Sequence, residues 1–331
     1  MENERTSQSD KKEESVDGEK VLTEEEIKIR KENIFKDLNE TIDTVKDIPG
    51  LRTEDGSWNG DLLKCLRNFS ASYFFIRNIG PLPYDVIQKY RREAGQRLSE
   101  SKSTIVMCKV IMDGWKRGYR NEEGKTDAHQ LEGISKSLLT LLNYADCTPA
   151  VTYDIAGEPN FLETIKGILS TILPAHMQGE AKSDDETVMK WCLSIYHNTS
   201  MVDQNIPRLR SLEIVPMFNS ILDAKKEIYR LSALSTLANI IDEKESKILQ
   251  DKPDVAAFLL KTLGLAVKDP LHRNLGWSAQ ECAMTVRRLA RNDANKKLLV
   301  QMGCLPHLVG LAESGNVDEQ REAVGSLWVL A

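Results

Sequence analysis

The side chains that most often carry catalysis or bind metals are scattered through this sequence. Its five histidines lie far apart, at His129, His176, His197, His272 and His307. No histidine pairs with a cysteine at the spacing of a zinc site. Serine, histidine and carboxylate residues occur without a nucleophile-elbow motif. We therefore predict no catalytic residue, no metal site and no cofactor, and we expect that the chain is not an enzyme.

One basic cluster has a side-chain chemistry that suits a charged ligand. The stretch "VRRLARNDANKK" contains Arg287, Arg288, Arg291, Lys296 and Lys297. Guanidinium groups bind acidic peptides and phosphates through charge-assisted hydrogen bonds. A solvated helix face is the alternative interpretation. The glycine-containing loop "GWKRGYRNEEGK" has neither the spacing of a phosphate-binding loop nor a preceding strand, so we exclude it as a nucleotide site.

Charge and hydropathy exclude two classes of partner. The 331 residues carry a net charge of −6, with a pI of about 5.6, so nothing attracts the whole chain to nucleic acid or anionic lipid. No apolar run approaches the roughly 18 residues of a membrane span. The six cysteines are well separated, and the first twenty residues lack the apolar core of a secretion signal. We expect a cytoplasmic protein that binds neither nucleic acid nor membranes.

The elements that must position any functional residue are mostly helices. Residues 1–20 are polar and predict a disordered tail, and residues 21–48 predict an amphipathic helix. Thr23 and Glu26 have the spacing of a capping box at the start of that helix. Strand signals are weak in the rest of the chain. Trp115, Trp191 and Trp277 recur with aliphatic residues at helical spacing, which predicts core positions.

Internal similarity is the main feature of residues 49–331. "IRNIGPLPYDVI" (76–87) matches "LVQMGCLPHLVGL" (299–311), and "LRSLEIVPMF" (209–218) is a third, weaker copy. The equivalent prolines, Pro83, Pro216 and Pro306, are separated by multiples of about 44–45 residues, which lies in the range of helical repeats. The sequence therefore predicts a repeat array.

The last copy predicts a unit of three helices. Gly303 can adopt the left-handed conformation that ends a first helix, and Pro306 suits the first turn of a second one. Gly315 is expected to end the second helix. Asn316 is expected to cap the third helix, with Glu319 placed to complete a capping box.

The third helix of each unit can be followed through the chain. Six nine-residue windows align, starting at Leu62, Ser137, Trp191, Ala233, Cys282 and Ala323. Their fifth position is apolar in every window, and the eighth is apolar in all but one. The wide gap between the first two windows predicts a degenerate unit near "STIVMCKVIMDGW".

This pattern resembles the armadillo repeat. The similarity is closest in the last unit, through Gly303, Leu305, Pro306, Leu308, Val309, Leu311, Ala323, Leu327 and Leu330. The resemblance implies an all-α, armadillo-type superhelix, or α-solenoid, with about six or seven repeats over residues 49–331 and the last one cut at the chain end. HEAT repeats are the related alternative. Because neighbouring repeats stack, such an array offers a long concave groove.

The resemblance also implies binding residues on the third helices. At the seventh position of the windows lie Asn68, Asn143, His197, Asn239 and Arg288, and Arg287 holds the sixth position of the fifth window. The asparagines resemble the ladder with which armadillo proteins hold a peptide backbone, since an amide both donates and accepts hydrogen bonds. Helix capping or solvation is the alternative interpretation. The tryptophan that importins place four residues earlier is absent, so we reject nuclear-import cargo binding.

Three functions follow from the resemblance. The first is a non-enzymatic scaffold or regulatory module that binds a protein or extended peptide along the groove. The second is the inhibitory or sensing half of a longer protein, as in invertebrate proteins where armadillo repeats precede a TIR domain and restrain an NAD hydrolase. The third is a small-GTPase regulator. The apolar face of the last helix further predicts self-association or a break in the array.

Overall fold

The computed structural model describes residues 22–120, 123–242, 245 and 248–331, and these are mainly helical. The predicted tail at residues 1–20 lies outside the described residues. The helices, in chain order, are α1 (Glu24–Lys46), α2 (Gly60–Arg77), α3 (Tyr84–Glu100), α4 (Ser103–Arg117), α5 (Ala128–Ala145), α6 (Pro149–Gly157), α7 (Phe161–Gln178), α8 (Ser183–Ser200), α9 (Ile206–Ser211), α10 (Val215–Ile221), α11 (Glu227–Ile240), α12 (Ile248–Asp251), α13 (Pro253–Lys268), α14 (Ala279–Leu289), α15 (Asp293–Gln301), α16 (Cys304–Ala312) and α17 (Val317–Leu330).

Helix α1 covers the N-terminal end of the array. It begins with the predicted capping box, in which Thr23 Oγ1 accepts from the Glu26 amide at 3.2 Å and the Glu26 carboxylate accepts from the Thr23 amide at 2.9 Å. Its buried residues Ile27, Leu38 and Ile42 recur at helical spacing. This face packs along α2, so α1 shields the first helix of the row described next.

Six helices form an inner row, and each contains one of the six aligned windows. These are α2, α5, α8, α11, α14 and α17, and each packs against the next in that order. The fifth window position is fully buried in the first five of them, at Leu66, Leu141, Ile195, Leu237 and Val286. Stacking of successive units, rather than the packing of any one unit, therefore buries the apolar positions that the sequence pattern marks.

The remaining helices form an outer layer and complete three-helix units. The units described after α2 are α3–α5, α6–α8, α9–α11, α12–α14 and α15–α17. In the outer layer α4 packs against α7, and α13 packs against α16. The segment "STIVMCKVIMDGW" lies in α4, the second helix of the first of these units. The described residues form no separate degenerate unit there, so that prediction was wrong. The wide spacing of the first two windows comes mainly from the connections around α3 and α4, above all residues 118–127, and from the position of the second window late in α5. The α-solenoid expected from the sequence is confirmed.

The turns of the last unit agree only in part with their predicted chemistry. Gly303 has the predicted left-handed conformation, with φ of 85°, and Pro306 lies in the first turn of α16. Asn316 caps α17, because its Oδ1 accepts from the amides of Asp318 and Glu319. The predicted role of Gly315 was wrong, since α16 already ends at Ala312. No capping box forms either, because the Glu319 carboxylate turns to His272 instead.

A small hairpin interrupts the helices between α13 and α14. Strand β1 (Arg273–Asn274) pairs with β2 (Trp277–Ser278) in antiparallel register. The turn uses Gly276 at φ of 89°, and the non-glycine residues His272 and Leu275 also have positive φ, at 50° and 52°. The sequence pattern did not predict this hairpin.

The core runs along the whole array and contains most of the cysteines. Five of the six are buried, Cys147 is half-buried, and all six are free thiols. Among the described residues, no helix is both long enough and apolar enough to cross a membrane.

Candidate functional site

A cleft of about 340 Å³ opens on the face where several inner-row helices converge. Helices α2, α5, α8 and α11 form its floor, and the hairpin forms one wall. The lining residues used below are Tyr73, Asn143, Trp191, His197, Arg273 and Trp277. The hairpin directly precedes α14, yet its Arg273 contacts Asp146, the residue that follows α5. Helices α8 and α11 lie between α5 and α14 in the row. The inner row must therefore curve strongly, and this face is the concave one.

Asn143 lines the cleft and has an amide nitrogen without a partner in the described part of the chain. It lies near the C-terminal end of α5 and is half-buried. Its Nδ2 is enclosed and has no hydrogen-bond partner among the described residues. The backbone is held in place, because its carbonyl accepts from Arg91 Nη2 at 3.3 Å. A buried donor without a partner is costly, so it marks a place where a ligand or water can bind favourably.

His197 is the second unsatisfied group in the cleft. The ring is only 3% exposed and lies 4.6 Å from the Trp277 ring, centroid to centroid. Its Nδ1 has no hydrogen-bond partner among the residues described. Its Nε2 lies 3.4 Å from Glu281 Oε1, within the range of an ion pair. The position and the tautomer of the His197 ring therefore depend on the Glu281 carboxylate.

Glu281 is a buried carboxylate that links α8, α14 and the hairpin. Burial alone would raise its pKa, but the His197 ring, the Arg273 guanidinium and Ser278 stabilise the charged form and hold the pKa at about 2. Its second oxygen accepts from Ser278 N at 2.7 Å and from Ser278 Oγ at 2.6 Å, which closes a capping box on α14. The carboxylate is thus negative at neutral pH.

The other asparagines of the predicted ladder are used within the protein. Asn68 donates from Nδ2 to Thr41 Oγ1 at 3.2 Å, on the covering helix α1. Asn239 is buried and donates to Ser200 Oγ at 2.9 Å. The structure therefore brings Asn143 and His197 together in one cleft, and it does not place Asn68 or Asn239 there.

The two predicted arginines are also paired. Arg288 is buried, and its guanidinium lies 2.8 Å from Asp203 Oδ1. Arg287 Nη2 lies 3.0 Å from Glu322 Oε2 on α17. Because carboxylates of this chain occupy both guanidinium groups, the geometry gives no support to the acidic-peptide hypothesis for these residues.

Two residues of the cleft were not recognised from the sequence. Trp191, predicted to lie in the core, is half-buried and lines the cleft, whereas Trp277 is buried as predicted. Arg273 reaches across the groove and donates from Nη2 to the Tyr84 hydroxyl at 3.2 Å and to Asp146 Oδ2 at 3.4 Å. The Asn274–Gly276 stretch has turn-type residues, but nothing local shows that this turn lies over the groove.

Asp146 stabilises the charged form of two arginines, Arg91, which is buried, and Arg273, which is half-buried. Burial lowers the pKa of Arg273, but the charges of Asp146 and Glu281 raise it by more, so the pKa lies above its usual range. Arg91 shares Asp146, at 2.9 Å, and its pKa is also raised despite burial. The Asp146 carboxylate therefore joins the first complete unit, α3–α5, to the hairpin. Among the described residues, no group of histidine, cysteine and carboxylate side chains could hold a metal ion.

Comparison with known proteins gives one family match. The model of the armadillo/beta-catenin-like repeat matches residues 292–331, which span α15 to α17. None of the curated proteins compared with the chain matches it.

Several solved structures are similar over 89% of this chain. They include a designed armadillo repeat protein at 16% identity, with all of that chain covered and a TM-score of 0.47. A second designed armadillo repeat protein, in complex with the peptide (KR)4, is 18% identical, with 99% of that chain covered and a TM-score of 0.46. An engineered protein is 16% identical, with 96% of that chain covered and a TM-score of 0.46.

Proposed function

We propose that this armadillo-type α-solenoid, whose last three helices match the model of the armadillo/beta-catenin-like repeat, is a non-enzymatic interaction module. It holds an extended segment of a partner protein along the concave face. The observation that carries this proposal is a pair of buried unsatisfied groups, Asn143 Nδ2 and the His197 ring, on two residues that line the same cleft. Peptide backbone supplies both the acceptors and the donors that such groups lack.

The cleft also offers apolar surface for partner side chains. Trp191 and Tyr73 line it beside the two polar groups. Large aromatic side chains in a pocket contribute much of the binding energy in protein interfaces. The mixture of an amide, an imidazole and aromatic rings therefore suits a segment of peptide better than a uniformly charged surface. The free thiols support placing this module in a reducing compartment, the cytoplasm.

A displayed library of random extended peptides tests the proposal. We expect wild-type protein to enrich a peptide family and Asn143→Ala to weaken its binding about 10-fold or more, as loss of a buried hydrogen bond implies. Asn219→Ala, at an exposed position of α10, is the matched control and should bind normally. Asn239 is left unchanged because its buried bond to Ser200 supports the fold. Failure to enrich any peptide, or equal binding by Asn143→Ala, contradicts the proposal.

A second candidate function is favoured by the size of the cleft. Its volume of about 340 Å³ lies in the range of small-molecule sites. A small polar molecule bound there would make this chain the sensing half of a longer signalling protein, as in the armadillo–TIR architecture. A thermal-shift screen with a panel of polar metabolites distinguishes the two candidates. Stabilisation of wild-type protein but not of Asn143→Ala by a metabolite supports the sensor, and no stabilisation argues against it.

We also propose that the outer face of α17 mediates self-association. The second window position is buried in the five preceding windows, at Leu63, Leu138, Cys192, Leu234 and Ala283. Its equivalent in α17, Val324, is 56% exposed. At the sixth position Tyr196 packs its ring against Phe218 of the following unit, whereas the equivalent Trp328 is 80% exposed. A second copy of the chain can cover these side chains with its own α17.

A further inference from the structure

The hairpin between α13 and α14 spans the concave groove and contacts three separate units. We use the name strap for residues 269–278. Besides its attachment to α13, the strap contacts the first complete unit, the α6–α8 unit and the last unit. It separates the cleft that contains Asn143 from a second recess of about 500 Å³ on its other side.

The first contact joins residues 189 positions apart. Arg273 Nη2 donates to the Tyr84 hydroxyl and to Asp146 Oδ2, at 3.2 and 3.4 Å. The same guanidinium braces its own turn, because Nη1 donates to the Gly276 carbonyl at 3.0 Å. One side chain therefore fixes the shape of the strap tip and ties that tip to the opposite side of the groove.

The second and third contacts hold the base of the strap. Trp277 is buried against His197 of α8, and it precedes the capping box that starts α14. His272 Nδ1 lies 2.7 Å from Glu319 Oε2 at the start of α17. The base is thus continuous with packed helices, and it includes a buried aromatic ring.

The tip of the strap has a different character from its base. Leu275 is 64% exposed, so the tip buries little apolar surface. Leu275 in the turn holds a left-handed backbone conformation that costs free energy in a non-glycine residue. Hydrogen bonds of Arg273 are therefore the main attachment of the tip to the far side of the groove. Water or a ligand can take the place of either acceptor when these polar contacts break.

We propose that the strap opens and closes the concave groove, with Arg273 as its latch and Trp277 as its fixed end. When Arg273 is bound to Tyr84 and Asp146, the strap holds the first complete unit close to α14 and encloses the cleft. Release of Arg273 opens the cleft toward the second recess and relaxes the curvature of the inner row. A partner segment longer than the cleft can then run from the cleft into the second recess. This consequence rests on the proposed binding function.

Hydrogen exchange and small-angle X-ray scattering on the chain alone test the strap. In Arg273→Ala we expect amides of residues 273–276 to exchange about 10-fold faster or more, because the charge-assisted latch is lost. The radius of gyration should increase as the groove opens. Tyr84→Phe removes one of the two acceptors and should give a smaller change in the same direction. No partner is present, so the outcome is independent of whether the groove binds peptide.

A matched control separates latching from general stabilisation. Arg67 also bridges two units through an ion pair with Glu132, at 2.7 Å, and it lies away from the strap. Arg67→Ala should leave exchange at residues 273–276 and the radius of gyration unchanged. Two results overturn the proposal: equal exchange of the strap in Arg273→Ala and wild type, or uniform acceleration over the whole chain, which would make Arg273 a general support of the fold.

Discussion

Glu281 shows at the scale of one residue how the concave face is held together. Its carboxylate serves the capping box of α14, lies beside His197 and interacts with Arg273 of the strap. Because the pKa of Glu281 is lowered to about 2 in the folded chain, the charged form stabilises the fold. Removing this charge alone leaves the half-buried Arg273 guanidinium with one carboxylate fewer beside it.

Replacing Glu281 with glutamine should therefore destabilise the protein in a pH-dependent way. Glutamine retains the capping geometry and loses the charge. We expect a loss of about 3 kcal/mol in the free energy of unfolding at pH 7, measured by urea denaturation. The group's contribution is fully present above the unfolded-state pKa, so the difference should stay constant down to about pH 4.5 and shrink as pH falls toward 2.

Glu180→Gln is the control for this measurement, because Glu180 is exposed after α7. Its effect should be within about 0.5 kcal/mol at every pH. A pH-independent loss in Glu281→Gln would show that shape, rather than charge, makes this side chain important.

The three asparagines of the predicted ladder show why a residue's role was harder to predict than its position. They occupy equivalent sites on α2, α5 and α11, as the windows indicated. Each has a different neighbour: Thr41 of the covering helix for Asn68, the open cleft for Asn143, and Ser200 for Asn239. Those neighbours come from distant parts of the chain, so the local pattern contains no information about them.

At the scale of the elements, glycines set how closely helices approach around Trp58. This ring is buried between α4 and α5, and its Nε1 donates to the Gln130 carbonyl at 3.1 Å. A Cβ added at Gly133 would lie 2.6 Å from the Trp58 ring. A Cβ at Gly167 in α7 would meet nothing within 4 Å.

These two helical glycines should respond oppositely to alanine. Gly167→Ala should raise the free energy of unfolding by about 0.5–1 kcal/mol, because alanine is the better helix former. Gly133→Ala should lower it by about 1–3 kcal/mol, since overpacking against a rigid ring outweighs that gain. Thermal and urea denaturation of both variants measure the effects. Stabilisation by Gly133→Ala would show that Trp58 moves easily and that the helix contact is not tight.

The helices were predictable because their signals are local. The Thr23 capping box, the left-handed Gly303 and the six windows depend on residues within a turn or two of one another. The strap was not predictable, because its strands are two residues long and its attachment to Tyr84 comes from the curvature of the whole array. The prediction for Gly315 was wrong because this glycine lies in an exposed turn and does not have the positive φ that only glycine adopts easily.

For the whole molecule, the exposed face of α17 predicts reversible association. We expect analytical ultracentrifugation of the wild-type chain to show a concentration-dependent dimer. Trp328→Glu should raise the dissociation constant about 10-fold or more, because it places a charge at the centre of an apolar contact. Ile29→Glu, at an exposed apolar position on α1, is the control and should leave the equilibrium unchanged. A wild-type chain that remains monomeric at high concentration contradicts the proposal.

The bond between Arg273 and Tyr84 also changes how this array should unfold. Repeat arrays behave almost as one-dimensional chains, in which a terminal unit can melt while the others remain folded. A contact between residues 84 and 273 adds a link between non-neighbouring units. Melting of the first complete unit then also removes the partner of Arg273 and frees the tip of the strap, so loss of structure in one unit weakens structure far along the chain. The array should consequently lose its units together, in a single cooperative transition.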